Sequence, residues 1–313
     1  DVNDAASVDY FRKQEVCWTD IGNEFIKCVS LNGTNEKSKL QDIKIISRGI
    51  TSPDGMAIDW LTEKIYWADS EAEKIEVAEL YGPNRKVLYW KDLDQPRAIA
   101  LVPSEGMCKL IAVLFLNLII FIPSIMFWSD WGESPKLERA GMDGDQFSRK
   151  VIVDKDILWP NGLTVDYERK KIFWADGKRF SISAVDFDGS NRVESYFSET
   201  FREVLVDQLP DVMGLKALSV SNVIGQSPCM KNNGNCSHLC FNRPNYKYVC
   251  DCPLGNKKGI LIYAGYELSP NGRTCVIPSA FLLYGHKNDR IVRVSLETFA
   301  LTTLPVPNVN QPM

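Results

Sequence analysis

The sequence predicts an all-β protein, a propeller of four-stranded antiparallel blades followed by a small disulfide-stapled module, and three observations predict it. A pattern of two apolar residues, Trp, a small residue and Asp occurs four times: Val16-Cys17-Trp18-Thr19-Asp20, Ile65-Tyr66-Trp67-Ala68-Asp69, Met126-Phe127-Trp128-Ser129-Asp130 and Ile172-Phe173-Trp174-Ala175-Asp176. The Trp-to-Trp intervals are 49, 61 and 46 residues, and repeat periods of about 40 to 50 mark propeller blades. Each copy also sits in a longer cassette. An apolar stretch ending at Asp9, Asp59 or Asp166 precedes the Trp by eight or nine residues, and a turn Gly follows by 15 or 16, at Gly33, Gly82, Gly144 and Gly189. Finally, six of the nine cysteines fall between Cys229 and Cys275 while Cys17, Cys28 and Cys108 are scattered, and such clustering reads as a disulfide framework.

The elements follow in order. The first cassette spans about residues 4 to 50 and opens on Ala5 to Asp9; the second spans about Ser52 to Asp94, with a third strand around Ile75-Glu76-Val77 and a fourth around Lys86 to Trp90. Three of the four turn glycines follow Asn or Asp, the dipeptide preferred by a two-residue hairpin. A third cassette begins at Pro96, but its Trp128 arrives about 18 residues late. The surplus, about 107 to 125, is Met107-Cys108-Lys109 and an almost wholly apolar run from Leu110 to Ile125. Its hydropathy suits a membrane span, but Asn117 and Pro123 interrupt it. A crossing between two strands of one sheet would also strand the ladder's backbone groups. The expectation is an insertion foreign to the fold, such as translated intron sequence, with Asn256 to Ala264 a smaller example. The fourth cassette runs from Pro160 to about Gln208, and an orphan opening strand, Pro210 to Leu215, precedes the cysteines. Residues 1–224 are therefore assigned to the propeller, 225–276 to the module and 277–313 to the start of a following propeller.

With 313 residues, 45% apolar content and a net charge of −4, the chain can bury one sizeable core plus a small one. That charge gives no reason to expect nucleic acid and suits a basic protein partner better. The chain opens on Asp1 with no secretory leader, which reads as a mature or fragmentary piece. The cysteine spacing is C-x6-C-x3-C-x9-C-x-C-x22-C. Spacing alone permits fifteen pairings. Zinc, to which His238 near Cys240 could contribute, is disfavoured by the Cys250-x-Cys252 step and by the Gly, Pro and Asn around it. Sequons at Asn32-Gly33-Thr34 and Asn235-Cys236-Ser237 suit an extracellular chain.

The repeats resemble the Tyr-Trp-Thr-Asp repeats of the low-density-lipoprotein-receptor family, which implies six-bladed propellers; this chain, with four cassettes and an orphan strand, is short of blades. The cysteine stretch resembles an epidermal-growth-factor-like module, and that resemblance implies the pairs Cys229 with Cys240, Cys236 with Cys250, and Cys252 with Cys275. Ser52 to Gly55, Asp94 to Leu101, Glu138 to Gly144 and Trp159 to Thr164 are similar to the first propeller of the family's Wnt co-receptors, the arrow branch. Asp207 to Lys216 and Val276 to Leu283 are similar instead to the end of the second propeller and the start of the third. A mis-spliced or fragmentary form joining them near Tyr196 to Arg202 is expected, with the closure of the ring in question.

In a propeller the loops before the opening strands gather on one face. At one cassette position this chain places Asp54, Arg97 and Asn161, and Trp131 and Trp159 flank the same rim. Exposed Trp beside a few charges is the composition of a binding hot spot, and Asp54 with Glu71 is expected to supply negative potential toward a cationic partner. Family resemblance implies that Asp54, Glu71, Arg97, Trp131, Trp159 and Asn161 receive Wnt ligands or secreted antagonists, with a Frizzled-type receptor as a further partner. It also implies the extracellular part of a single-pass plasma-membrane receptor. Asn23 stands where that face usually carries an acid. The rival readings are a spacer propeller of a lipoprotein-type endocytic receptor and, more remotely, a propeller hydrolase. The hydrolase is disfavoured because His238 and His286 both lie outside the blades. No enzyme activity, cofactor, metal or small-molecule substrate is expected.

Overall fold

The computed structural model describes residues 2–11, 15–30, 41–103, 124–167, 169–179, 181–195, 227–243, 247–253, 256–257, 260–261, 266–276, 281–286, 290–295 and 301–303. The orphan strand at 210–215, the join near 196–202, Asn32, Cys108 and nearly all of the apolar run lie outside them. Four antiparallel sheets of four strands each follow one another along the chain, each in simple sequence order. Blade 1 is β1 (Ala5–Phe11), β2 (Glu15–Asp20), β3 (Phe25–Ser30) and β4 (Gln41–Ile46). Blade 2 is β5 (Pro53–Asp59), β6 (Lys64–Asp69), β7 (Lys74–Glu79) and β8 (Arg85–Tyr89). Blade 3 is β9 (Pro96–Val102), β10 (Ile125–Asp130), β11 (Lys136–Gly141) and β12 (Lys150–Val153), and blade 4 is β13 (Pro160–Asp166), β14 (Lys171–Asp176), β15 (Ser181–Asp186) and β16 (Val193–Ser195). The opening strands β1, β5, β9 and β13 lie side by side in that order.

Packing between blades explains the repeated Trp. Each motif Trp faces the preceding blade: Trp67 joins Phe11, Cys17 and Ile26 of blade 1, Trp128 joins Tyr66 and Tyr89 of blade 2, and Trp174 joins Phe127 and Leu137 of blade 3. All three are fully buried, whereas Trp18, with no blade described before it, is only half-buried. The strands carry the same signature. β6 and β10, sandwiched on both sides, are buried at every residue, while β14, on the last blade, alternates. Val8 is 59% and Tyr10 45% exposed on blade 1, so the ring's first face is left uncovered by the described residues. An Arg from the outer edge backs each buried Trp, with Arg85, Arg149 and Arg192 lying 4.9, 5.4 and 5.1 Å from the rings of Trp67, Trp128 and Trp174. Arg85 and Arg149 also pair with the buried Glu76 and Glu138. Blade 4 has Ser183 at that register position.

Three expectations are corrected. First, Gly33 lies outside the described residues, and the other turn glycines, Gly82, Gly144 and Gly189, do not make two-residue hairpins. The loops they sit in run from Leu80 to Asn84, Met142 to Arg149 and Phe187 to Arg192. Gly144 and Gly189 take positive φ (80° and 93°) but Asp143 and Asp188 before them do not, which is a longer turn closed by one left-handed Gly. Second, Ile125 is not insertion but strand: it pairs with Val102 on one side and Gly141 on the other. Blade 3 thus has its four strands from residues on either side of the apolar run. Third, Cys17 and Cys28 are not scattered thiols. They sit opposite each other on β2 and β3 and form a disulfide. The two sulfurs are buried in the blade 1–blade 2 core.

The cysteine module contains β17 (Leu239–Arg243), β18 (Lys247–Asp251), the short pairs β19 (Asn256–Lys257) with β20 (Ile260–Leu261), and β21 (Glu267–Leu268) with β22 (Cys275–Val276). Its disulfides join Cys229 to Cys240, Cys236 to Cys250 and Cys252 to Cys275. The module docks through β17: Leu239 and Phe241 are buried in the same core as Tyr66, Leu88 and Met142 of blade 2 and the blade 3 turn. Lys86 pairs with Asp251, and Arg243 with Asp143, at the rim of that contact. Beyond it lies a three-stranded sheet of β23 (Phe281–His286), β24 (Arg290–Ser295) and β25 (Leu301–Thr303). Among the described residues no helix is long and apolar enough to cross a membrane.

Truncating the docked ring in Phe241→Ala is expected to weaken the module's attachment by about 3 kcal/mol, the usual loss for a buried Phe. Limited proteolysis of the folded chain checks it. The segment between blade 4 and Cys229 should be cut faster in the variant, and an unchanged rate would mean that Phe241 does not hold the module.

Candidate functional site

The site is built by the motif Asp residues. Asp20, Asp69, Asp130 and Asp176 end the second strand of each blade and are buried. Each accepts backbone N–H groups from the loop that enters the same blade's opening strand. Asp69 takes those of Thr51 and Ser52, both at 2.9 Å; Asp130 those of Asp94 at 3.1 Å and Gln95 at 2.8 Å; Asp176 those of Leu158 at 2.7 Å and Trp159 at 3.1 Å. Asp20 does the same for Asn3 and Asp4. The residue after each Asp closes the clamp by donating its N–H back to that loop, as Ser70 does to Ser52 and Gly177 to Trp159. Hydrogen bonds from backbone N–H groups to a carboxylate are roughly twice as strong as neutral ones, so several together hold the loop in place.

Asp54, Arg97 and Asn161 are each the second residue of an opening strand, directly after Pro53, Pro96 and Pro160. The three line one cavity of about 540 Å³ with Val2, Ser7 and Val8 of blade 1 and Leu163 of blade 4. Two glycines make the close approach possible. A Cβ on Gly55 would lie 2.0 Å from the Arg97 carbonyl oxygen, and one on Gly177 would lie 2.8 Å from the Asn161 amide nitrogen.

From the cavity-lining Asp54 and Arg97, charges and rings form a continuous chain of contacts. Arg97 Nε is 3.8 Å from Asp54 Oδ1, and its guanidinium lies 3.9 Å from the centre of the Trp131 ring. Trp131 meets Trp159 edge to face at 5.5 Å, and Lys178 Nζ is 4.7 Å from the Trp159 ring. Both cation–ring distances are within the range of attraction to a π face. Trp159 remains 43% exposed. Asp54 is buried, and burial pushes its carboxyl above the ordinary value, opposed by hydrogen bonds from Ser70 and Ser52 and the charge of Arg97.

Of the residues singled out in the sequence, five meet here: Asp54, Arg97, Trp131, Trp159 and Asn161. Glu71 is exposed in the turn between β6 and β7 and takes no part in this chain of contacts. The buried, Arg-paired Asp54 does not present an open negative charge, so of the expected acid pair only Glu71 faces solvent. Lys178 was missed by the sequence reading. Its signal is position: its N–H donates to Asp176, the carboxylate that also holds Trp159.

Blades of Trp-Asp repeats with a loop-built rim and a docked three-disulfide module define a receptor-type propeller pair. Comparison with known proteins agrees and narrows it. The model of the low-density lipoprotein receptor repeat class B matches residues 63–102 and 124–167, breaking across the apolar run. Low-density lipoprotein receptor-related protein 5 of Mus musculus is 38% identical over 95% of this chain. The Homo sapiens low-density lipoprotein receptor-related protein 5-like protein is 30% identical over 73% of this chain and 93% of its own length, and vitellogenin receptor Yl of Drosophila melanogaster is 35% identical over 56% of this chain. The chain therefore belongs to the low-density lipoprotein receptor-related family, as part of an extracellular receptor propeller. It spans 18% of the length of the mouse relative and 8% of the fly receptor.

Because burial raises the Asp54 carboxyl, the folded state keeps that proton to higher pH than the unfolded chain. Ionising it therefore costs stability as pH rises above the ordinary carboxylate value of 3.8. Arg97→Ala removes an opposing charge and should deepen that loss. Thermal midpoints near pH 4 and pH 7 check this: the variant should be more destabilised, relative to wild type, at the higher pH. Equal destabilisation at both would sink the coupling.

Proposed function

We propose that this chain is part of the ectodomain of a single-pass plasma-membrane Wnt co-receptor, and that the rim around Trp159 and Asn161 binds a secreted protein ligand, a Wnt protein or an antagonist. The observation that carries the reading is the contact chain from Asp54 through Arg97, Trp131 and Trp159 to Lys178. It pre-orders two large rings next to the cavity-lining Arg97, so little side-chain freedom is lost on binding. Asn161 lines the cavity, and an amide side chain there matches the hydrogen-bonding groups of a ligand backbone. Exposed Glu71 and the net charge of −4 favour a cationic partner. The 38% identity to a receptor-related protein supports the receptor part of the reading. A Frizzled-type receptor is proposed as the co-partner, and binding rather than catalysis as the activity. Residues 277–313 are proposed as the start of a further propeller, and the apolar run as foreign to the repeat. The break in the family match between 102 and 124 supports the latter.

A second reading is favoured by the bare face of blade 1, where Val8 and Tyr10 are exposed. Among the described residues no blade covers that side, which leaves the described rim incomplete there, as suits a spacer propeller of an endocytic receptor. Titrating a secreted Wnt antagonist against a propeller with its blade set restored separates the two. Trp159→Ala should cost roughly 2 kcal/mol or more, the threshold of a hot spot. Phe147→Ser, at a 98% exposed ring in the β11–β12 loop away from the rim, should cost nothing measurable. Equal affinities for wild type and Trp159→Ala, with both folded, would favour the spacer.

A further inference from the structure

The sequon Asn235-Cys236-Ser237 has no part in the rim, and its structure in the module is unusual. Asn232, Asn233, Gly234 and Asn235 take φ of 50°, 50°, 59° and 57° in succession, a left-handed run that only Gly and Asn adopt at low cost. Asn233 is committed: its amide donates to the carbonyl oxygens of Cys236, at 3.1 Å, and of His238. Asn235 is exposed. The other two sequon residues are locked by the fold. Cys236 is buried in a disulfide with Cys250. The Ser237 hydroxyl accepts the Cys275 N–H at 2.8 Å, and the Ser237 N–H donates to the Arg273 carbonyl at 2.9 Å.

We propose that Asn235 carries an N-linked glycan that is attached before the module's disulfides close. The reaction is displacement at the first sugar carbon of a lipid-linked oligosaccharide diphosphate. The Asn235 amide nitrogen forms the new C–N bond, the C–O bond to the diphosphate breaks, the amide proton passes to the transferase's base, and the lipid diphosphate leaves. Transfer needs an accessible Asn and an uncommitted hydroxyl two residues on. In the folded module the Asn is accessible but the hydroxyl is engaged twice, by the Cys275 N–H and by His238 Nδ1 at 2.9 Å, and the Cys252–Cys275 disulfide holds Cys275 in place for the first of these contacts. Folding and glycosylation therefore compete for Ser237 in the newly made chain, and occupancy is partial. A glycan at Asn235 is compatible with the docked module, since the docking residues are Leu239, Phe241, Arg243 and Asp251.

The test is secretion of the full chain from eukaryotic cells, followed by reduction, alkylation and peptide mapping before and after enzymatic removal of N-glycans in heavy-oxygen water. The peptide containing residue 235 is expected in two forms, one of them glycosylated and converted to Asp on release. Asn235→Gly, which keeps the left-handed backbone, should lose the glycan form while its non-reducing map still shows three module disulfides. Ser237→Thr, and mild reductant during synthesis, should each raise occupancy. A wholly unmodified peptide in wild type, in Ser237→Thr and under reductant overturns the site. Occupancy that neither treatment changes overturns the competition with folding.

Discussion

The structure depends on one repeated interaction: a buried Asp at the end of each blade's second strand holding the backbone N–H groups of the loop that feeds the first. An inner propeller strand must start at a fixed height on the axis, or neighbouring blades lose register. A flexible loop cannot set that height. The carboxylate sets it, because three or four N–H donors converge on each of Asp69, Asp130 and Asp176 from both the entering loop and the following turn. Removing the carboxylate would leave those buried donors unpaired, each a cost of about 1–3 kcal/mol. The same clamp places the rim residues. Trp159 and Lys178 are held by one carboxylate, and Trp131 is tied to Gln95 one residue after Asp130.

The Trp of the motif does different work. It fills the space between blades, so its burial reports whether a predecessor is there. The same residue type, at the same register, is fully buried in blades 2, 3 and 4 and half-buried in blade 1. The Arg that backs it joins three strands at once. Arg85 spans from Trp67 and Glu76 to the carbonyls of Arg48 and Gly49 before the opening strand. That tie, together with the Asp clamp, lets a blade with few side-chain contacts at its outer edge keep its four strands in order. The docked module extends the core on the opposite side from the rim, with Leu239 and Phe241 buried among Tyr66, Leu88 and Met142.

Much of this was legible in the residues. The Trp and Asp spacing gave the blades, the cysteine cluster gave the module, and the residues after Pro53, Pro96 and Pro160 were legible as equivalent positions because the repeat supplies its own alignment. Other features were not. Cys17 and Cys28 read as scattered because their pairing requires β2 and β3 in register, which spacing alone does not give. The turn glycines read as tight hairpins, since Asp-Gly is compatible with either turn. The end of the apolar run read as insertion because Ile125 has the same composition as the residues before it, and only its ladder partners Val102 and Gly141 place it in a strand.

By itself, the sequence determined the all-β class, the four-blade repeat, the disulfide-rich module and five of the residues that meet at the rim, because periodicity and residue type are local properties that survive without coordinates. Only the tertiary structure decided what those residues do to one another. It turned Asp54 from an open negative charge into a buried partner of Arg97, joined Trp131 to Trp159 across two blades, and brought Lys178 over the Trp159 ring while leaving Glu71 apart. The physical reason is that side-chain contacts across blades depend on the angle and height at which successive sheets pack. That geometry is set by the summed burial of a whole interface, which no single stretch of the chain encodes.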